Sequence, residues 1–335
     1  MKIWVLAAMS ALIFLASCAV DSSNAQVLVL TDEYTVRGYT FAVSANAPHT
    51  LTGAAAFFGD RVYEISFGQM KVQSSASNNP LQDLLDGTAQ LAFLSSGEIA
   101  GLSEYIAAMR LPFAYRGYTH FAMAVNNADV LSILTAEMDE EHSVQLIAGF
   151  FYGARLFLSQ GVLPEFPDNT LEEVAVVLPN SNMAYGLEVM GYYVVTQASY
   201  ERRIAMLESG DAFLVEVTTL ELTTNSDWIE SRFDIILSRH DMDMQFLVVQ
   251  SDFWNNLAPA SRAALTEAAS YMSPIIDNAH LRRDVMLQNM INHDDAQIHI
   301  HQVPEVLPLI SRSAWYQNRN VDELFRYLAE LVARI

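Results

Sequence analysis

The segment that decides the fold is LEEVAVVLPNSNMAYGLEVM, residues 171–190. Its apolar run at 174–178 is typical of a buried strand, and Pro179 ends that strand because proline has no N–H group to donate to a sheet. The polar residues at 180–182 then favour a turn and a helix cap, and a helical pattern follows. A strand, polar turn and helix present a ligand site in many α/β sheets, beyond the carboxyl end of the strand. The segment therefore predicts a binding protein or an enzyme of the α/β class.

The same alternation of strands and helices continues on both sides of this segment. The predicted strands lie at residues 39–45, 65–74, 90–94, 144–158, 191–195, 212–217, 245–250 and 297–303. The predicted helices lie at residues 50–63, 80–86, 118–139, 200–207, 259–293 (with a kink at Pro274) and 321–335. This order predicts an α/β fold with a mostly parallel sheet.

The composition indicates a globular protein with an acidic surface. The 335 residues are enough for two domains with cores of their own, and 52% are hydrophobic while 17% are charged, which excludes a disordered chain. The 39 acidic and 18 basic residues give a net charge of −21. Nucleic acids and anionic lipid surfaces bind basic patches, so neither is an expected partner.

The N-terminus is predicted to direct the chain out of the cytoplasm. A basic second residue precedes an apolar run at 3–16, which is short for a membrane span but typical of a signal peptide. The sequence LASC at 15–18 resembles a bacterial lipobox, in which Cys18 is lipidated and becomes the new N-terminus. The alternative is an ordinary signal peptide cut near Ala25. In either case we expect residues 1–26 to be signal peptide and tether, and the mature chain to have no disulfide.

Catalytic motifs are missing from the sequence. It contains no G-x-S-x-G, G-x-x-x-x-G-K-[ST], G-x-G-x-x-G or H-E-x-x-H pattern. We therefore expect no enzymatic activity and no cofactor. His299 and His301 share one face of a predicted strand, as in some metal sites, but no cysteine accompanies them and no metal is expected.

Five segments, in the order of the chain, carry a resemblance to one protein family. They are LLDGTAQLAFLSS at 84–96, LPFAYRGY at 111–118, GFFYGAR at 149–155, LEEVAVVLPNSNM at 171–183, and 246–269, which contains WNNLAP at 254–259. They resemble the dicarboxylate-binding type of solute-binding protein that serves tripartite ATP-independent periplasmic (TRAP) transporters. The resemblance runs from about residue 39 to the end of the chain.

This resemblance implies a two-lobed, periplasmic-binding-protein-like fold of class II, with a long helix spanning both lobes. Lobe I would comprise residues 27–150 and about 242–280, lobe II residues 151–241 and about 281–310, and residues 311–335 a C-terminal helix. It also implies a periplasmic protein that delivers a small organic solute to the membrane permease subunits of a TRAP transporter, and the lipobox-like sequence adds a lipid anchor on Cys18. The alternative is a ligand-sensing or scaffold subunit of an extracytoplasmic signalling system with the same fold.

Two departures from the family pattern concern the ligand. The family arginine that clamps the ligand carboxylate falls at Val177, and a family asparagine falls at Val217, whereas Glu216 and Arg155 match. Desolvating a carboxylate against valine costs several kcal/mol. The sequence therefore predicts a ligand that is not a standard dicarboxylate: it is less polar or neutral, or its anion is held by Arg155 alone.

The remaining candidate ligand contacts each have a structural alternative. Asn180 and Ser181, and likewise Ser95 and Ser96, follow strand ends, where they either bond a ligand or cap the next helix. Asn46 and His49 either line the cleft or form a turn after the first strand. The aromatic candidates for apolar walls, which are alternatively plain core residues, are Phe67, Phe113 and Tyr185.

Overall fold

The computed structural model describes residues 36–103, 105–110, 114–159, 175–178, 187–188, 192–225, 233–293 and 298–299, and near the C-terminus residues 327, 330–332 and 334. The predicted signal peptide and tether lie outside these residues, and so do Cys18, Phe113, Asn180, Ser181 and Tyr185. Among the helices in the described ranges, none combines the length and the hydropathy that a membrane span requires.

Nine strands of the described chain form one mixed sheet in the order β2-β1-β3-β8-β4-β7-β5-β6, with β9 paired to β8. They are β1 Arg37–Ser44, β2 Met70–Ser77, β3 Leu91–Ser95, β4 Val144–Ser159, β5 Ala175–Leu178, β6 Tyr193–Thr196, β7 Leu214–Thr218, β8 Asp234–Gln250 and β9 Ile298–His299. The strands β1, β2 and β3 are parallel, as are β5, β6 and β7. The predicted mostly parallel sheet is wrong at its centre, because the β3–β8, β8–β4 and β4–β7 pairs are antiparallel.

The two longest strands, β4 and β8, are shared by two halves of the sheet. Val144 lies opposite Gln250 at one end of the pair, and Ser159 lies opposite Asp234 at the other. Strand β3 pairs with the 245–249 end of β8, so β1, β2 and β3 with these strand ends make up a first half. Strand β7 pairs with the other end of β4, so β5, β6 and β7 belong to a second half. The two strands thus cross from one half to the other near Arg155.

Helices cover both faces of the sheet. They are α1 His49–Ile65, α2 Pro80–Leu85, α3 Ser96–Ile99, α4 Ile106–Met109, α5 Tyr118–Val125, α6 Ala128–His142, α7 Tyr200–Ser209, α8 Thr219–Thr224, α9 Ser251–Asn256, α10 Pro259–Ser270 and α11 Ser273–His293. Each half of the sheet has two apolar clusters. Helices α1 and α10 contribute to one cluster of the first half, and α5 and α6 contribute to the other.

Helix α11 packs on both halves, as the predicted shared helix requires. Ile276 lies in a core cluster of the first half, and Leu287 lies in a core cluster of the second. The carboxylate of Asp277 accepts hydrogen bonds from the backbone N–H of Phe151 on β4 and from the Tyr118 hydroxyl, both at 2.9 Å. Burial of a carboxylate favours its neutral form, and it raises the pKa of Asp277 although these hydrogen bonds act in the other direction.

Three predicted elements differ from the structure for local reasons. The second strand begins at Met70 because residues 66–69 form a turn, in which Phe67 has a φ of 52°. The predicted helix 118–139 is interrupted at Asn127, whose side chain accepts the backbone N–H groups of Asp129 and Val130 and so caps α6. The long helix 259–293 is interrupted at 271–272, since the ring of a helical proline, here Pro274, clashes with the carbonyl four residues earlier.

Candidate functional site

The crossing of β4 and β8 buries a group of charged side chains, which we name the crossover cluster. Three of its members, His240, Asp241 and Asp243, come from the middle of β8, and Arg155 lies opposite Asp241 on β4. Register shifts between the two strands lie on either side of this point, at 151–153 and at 155–157. The cluster consists of Arg110, Arg155, Glu216, His240, Asp241 and Asp243.

Arg155 is surrounded by three carboxylates. Its Nη1 donates to Oε2 of Glu216 at 2.6 Å, and its Nε donates to Oδ1 of Asp243 at 3.0 Å. Its Nη2 is also 3.0 Å from Oδ1 of Asp243, and its Nε is 3.4 Å from Oδ2 of Asp241. Burial alone lowers the pKa of an arginine, but the attraction of the three acids outweighs it and raises the pKa of Arg155 well above its usual value. The guanidinium is therefore held charged and its hydrogen-bonding capacity is largely used within the protein.

Arg110 extends the cluster from the first half of the molecule. It directly follows helix α4 and donates a hydrogen bond to Oδ2 of Asp241, while its Nη2 is 3.6 Å from Asp243. The other oxygen of Asp241, Oδ1, is buried and has no hydrogen-bond partner among the described residues. Burial, together with the neighbouring charge of Asp241, raises the pKa of Asp243 although Arg155 and Arg110 act in the other direction.

Glu216 and His240 close the cluster on the side of the second half. Nε2 of His240 is 3.0 Å from Oε1 of Glu216, and its Nδ1 is 2.7 Å from the hydroxyl of Ser238. The imidazole ring stacks on Phe157, with ring centroids 4.0 Å apart. Burial raises the pKa of a carboxyl group, but Arg155 and His240 reverse this effect and lower the pKa of Glu216 to about 2. Glu216 therefore stays ionised in the interior.

The structure brings Arg155 and Glu216 together but places the two predicted valine contacts elsewhere. Val177 and Val217 both lie in one apolar cluster of the second half and are 0% and 1% exposed. Successive residues of a strand point to opposite faces, so Val217 faces away from the side of the sheet that carries Glu216. The positions of the family's polar clamp are therefore packed core in this chain.

The other described candidates lie at turns and caps. The hydroxyl of Ser95 caps α3 in a reciprocal pair with Glu98, which is the structural alternative for this residue, and Ser96 is buried next to it. Asn46 is exposed after β1, and His49 is the exposed first residue of α1. Phe67 is 89% exposed, so its side chain is not part of a buried wall. Within the described part of the chain, none of these five residues forms a hydrogen bond with the crossover cluster.

A second buried polar group lies beside the crossing, where α11 approaches β4. Arg283 donates a hydrogen bond of 3.1 Å to Nδ1 of His280, so the remaining ring proton lies on Nε2, which has no partner among the described residues. Burial and the charge of Arg283 lower the pKa of His280 to about 3. Gly153 has a φ of +127°, and a Cβ there would lie 3.7 Å from Nδ1 of His280. Only glycine adopts this conformation easily, which keeps the strand close to the helix.

Arg110, Asp241 and His280 are site residues that sequence reasoning missed. One signal was available: Asp241 and Asp243 alternate with Met242 and Met244, both of which lie in an apolar core of the first half. This period of two predicts a strand with one apolar face and one polar face, so it indicates the strand but not the burial of the two acids. Arg110 gives no such signal, since nothing in the local sequence indicates that it pairs with a residue 131 positions later.

These features define the class of fold: two α/β halves that share two strands and one long helix, as in two-lobed periplasmic binding proteins. Solved structures of TRAP periplasmic solute-binding proteins share this fold. The protein from Ochrobactrum anthropi, with its C-terminus bound in the ligand-binding pocket, has a TM-score of 0.72 at 20% identity, with 90% of this chain and 98% of that chain covered. The predicted α/β fold with a spanning helix is thus confirmed.

Two further structures of TRAP periplasmic solute-binding proteins contain ligands. The protein from Desulfovibrio desulfuricans with bound sn-glycerol-3-phosphate has a TM-score of 0.69 at 15% identity, with 89% of this chain and 97% of that chain covered. The protein from Roseobacter denitrificans with bound β-D-glucuronate has a TM-score of 0.69 at 16% identity, with 89% of this chain and 99% of that chain covered. No protein-family model matches the sequence, and no curated protein matches it either. At these identities the similarity establishes the fold.

Proposed function

We propose that this chain is an extracytoplasmic solute-binding protein, which captures a small organic ligand between its two halves and delivers it to a TRAP-type secondary transporter. The observation that carries the proposal is the pair of strands β4 and β8, which join the halves and bury charged side chains where they cross. Proteins with the same fold hold small solutes, as the structures with glycerol-3-phosphate and glucuronate illustrate.

The crossing supports a hinge motion. Register shifts allow an antiparallel pair to bend, and here two of them lie within a few residues of Arg155. Two halves joined by such strands open and close as rigid bodies, and a ligand that contacts both halves stabilises the closed state. In this proposal the chain catalyses no reaction and needs no cofactor.

The ligand in this proposal is not a standard dicarboxylate. The positions of the family's clamp are occupied by Val177 and Val217, which lie in packed core. The remaining arginine, Arg155, is engaged with Glu216, Asp241 and Asp243. An incoming carboxylate would therefore meet neither a free guanidinium nor a free amide at these positions.

The proposal also places the mature protein in the periplasm. Cys18 would carry a lipid that holds the protein at the membrane, and the permease subunits of the transporter would receive the solute there. A ligand-sensing or scaffold role would use the same fold but would leave uptake of the solute unchanged when the gene is deleted.

A thermal-shift screen of the purified mature chain tests solute capture. A ligand that binds only the folded state at 100 times its Kd adds about 2.7 kcal/mol to the free energy of unfolding, so at least one class of small organic solute is expected to raise the Tm. Uptake of that solute by cells with and without the gene then tests delivery. A screen of acids, amines, sugars and amino acids that produces no shift contradicts solute capture.

A further inference from the structure

The crossover cluster contains more carboxylates than guanidinium groups. The carboxylates are those of Glu216, Asp241 and Asp243, and the guanidinium groups are those of Arg110 and Arg155. The side chains of these carboxylates are 14% exposed at Asp243 and 1% exposed at both Asp241 and Glu216. Buried charges interact more strongly than exposed ones because less water screens them, so these carboxylates would interact strongly with a cation that reaches them.

The two guanidinium groups of the cluster have few hydrogen-bond donors left for an anion. All three nitrogens of the Arg155 guanidinium lie within 3.4 Å of a carboxylate oxygen. Arg110 is 4% exposed and is paired with Asp241. A ligand carboxylate approaching Arg155 would come close to three like charges, and such juxtapositions cost free energy in a buried site.

One acceptor of the cluster remains unused. Oδ1 of Asp241 is buried without a hydrogen-bond partner among the described residues, although Oδ2 of the same carboxylate binds Arg110. A buried carboxylate oxygen that lacks a donor is destabilising, and most such groups in folded proteins are satisfied by protein, water or ligand. Asp243, the most exposed acid of the cluster, lies two residues further along the same strand. Two carboxylate acceptors therefore lie at the hinge.

We infer that the solute is a small organic cation, an amine or a guanidine, whose N–H groups bind the carboxylates of Asp241 and Asp243. This inference rests on the proposed function, since it names the ligand class of the same hinge. Charge-assisted N–H···O hydrogen bonds are the strongest that such acceptors form. The net charge of −21 acts in the same direction, because a negative protein surface concentrates cations and repels anions.

Titration calorimetry at matched ionic strength tests the inference with two sets of probes. The cations are putrescine, agmatine and spermidine, and the anions are succinate, glucuronate and glycerol 3-phosphate. We expect saturable binding by at least one cation and none by the anions. Binding of an anion or a neutral solute alone overturns this inference but leaves solute capture intact. If no probe and no solute of any class binds, the proposed function itself fails.

A charge variant tests the assigned site. Asp243→Asn keeps the shape of the side chain and removes one charge, and it is expected to weaken binding of the cation by about tenfold or more, since charged hydrogen bonds contribute about 1.5–3 kcal/mol. Asp60→Asn makes the same charge change on the exposed face of α1 and is expected to leave the Kd within about twofold. Equal effects of the two substitutions overturn the assignment.

The thermal melting of both variants without ligand shows whether they fold. If Asp243→Asn does not fold, the dependence of cation binding on salt in the unmodified protein replaces it. Binding at a buried pair of carboxylates is expected to survive 0.5 M sodium chloride, whereas binding to the acidic surface disappears because salt screens exposed charges. Complete loss of binding in salt overturns the assignment to the hinge.

Discussion

Single buried residues near the crossing of β4 and β8 respond to acid in opposite directions. Glu216 is ionised down to a pKa of about 2, below the value of 4.5 for an unfolded chain, so it stabilises the fold above pH 4.5 and this contribution is lost as the pH falls towards 2. Burial raises the pKa of Asp243 and of Asp277, so the folded protein protonates these groups more readily than the unfolded chain does. Their contribution to the free energy of unfolding therefore increases as the pH falls. His280 is a base, and burial lowers its pKa, so the folded protein favours the neutral imidazole and loses stability when the unfolded chain can take up a proton.

At this scale we predict that His280 causes a loss of stability in mild acid. The unfolded chain takes up a proton near pH 6.5, whereas the folded protein keeps His280 neutral down to a pKa of about 3. The free energy of unfolding is therefore expected to fall below pH 6.5, by up to about 1.4 kcal/mol per pH unit for this one group. Urea unfolding at pH 8.0, 6.5 and 5.5 measures the slope.

His280→Gln is expected to flatten this slope relative to the unmodified protein. His49→Gln, which changes an exposed histidine at the start of α1, is expected to leave the slope unchanged. A His280→Gln protein that loses as much stability between pH 6.5 and 5.5 as the unmodified protein contradicts the prediction.

Among the elements, helix α1 shows how closely a helix packs on this sheet. A Cβ at Gly59 would lie 2.3 Å from the backbone oxygen of Val72 on β2, a distance that cannot be met without moving the helix. At Gly53, six residues earlier on the exposed face, a Cβ would meet nothing within 4 Å. The helix therefore has no room for a Cβ atom at Gly59 but has room for one at Gly53.

We predict that Gly59→Ala and Gly53→Ala change stability in opposite directions. Gly59→Ala is expected to lower the free energy of unfolding by about 1–3 kcal/mol, because it overpacks the contact with β2. Gly53→Ala is expected to raise it by about 0.5–1 kcal/mol, because alanine favours a helix more than glycine does. Urea denaturation of both variants measures the two changes, and an equal shift in both would show that packing at Gly59 is not tight.

The elements that the sequence predicts well are those with local signals. The strands ending at Ser44 and Ser95 and the helix that stops before Gly210 follow from apolar runs, caps and a glycine with positive φ. Apolar runs predict strand β8 only at 245–250, because the charges at 239–243 favour an exposed segment, whereas His240, Asp241 and Asp243 are largely buried in the structure. Their burial depends on partners from three other segments of the chain, which no local pattern contains.

For the candidate site, the sequence indicates individual residues but not how they are paired. The family resemblance pointed to Arg155 and Glu216 as candidate ligand contacts, and in the structure these two form an ion pair of 2.6 Å. It gave no indication that Arg155 is shared with Asp241 and Asp243, or that Val177 faces packed core. These facts depend on how the strands are paired across the sheet, which composition and periodicity do not determine.

At the scale of the whole molecule, we predict that ligand binding closes the two halves. Small-angle X-ray scattering is expected to show a lower radius of gyration with saturating solute than without it, because the closed state has both halves in contact with the ligand. A solute that produces no thermal shift, added at the same concentration, is the control. Saturable binding with an unchanged radius of gyration would contradict the hinge.

The insertion of β8 between β3 and β4 also decides when the chain can fold. Strand β3 ends at Ser95 and β4 begins at Val144, yet neither completes its pairing until residues 245–250 are available. Pairings between distant segments form slowly, because the entropy cost of closing a long loop comes before any stabilising contact forms. A nascent chain of this topology is therefore expected to lack its complete sheet until residues 245–250 have been synthesised, which is compatible with the export proposed above.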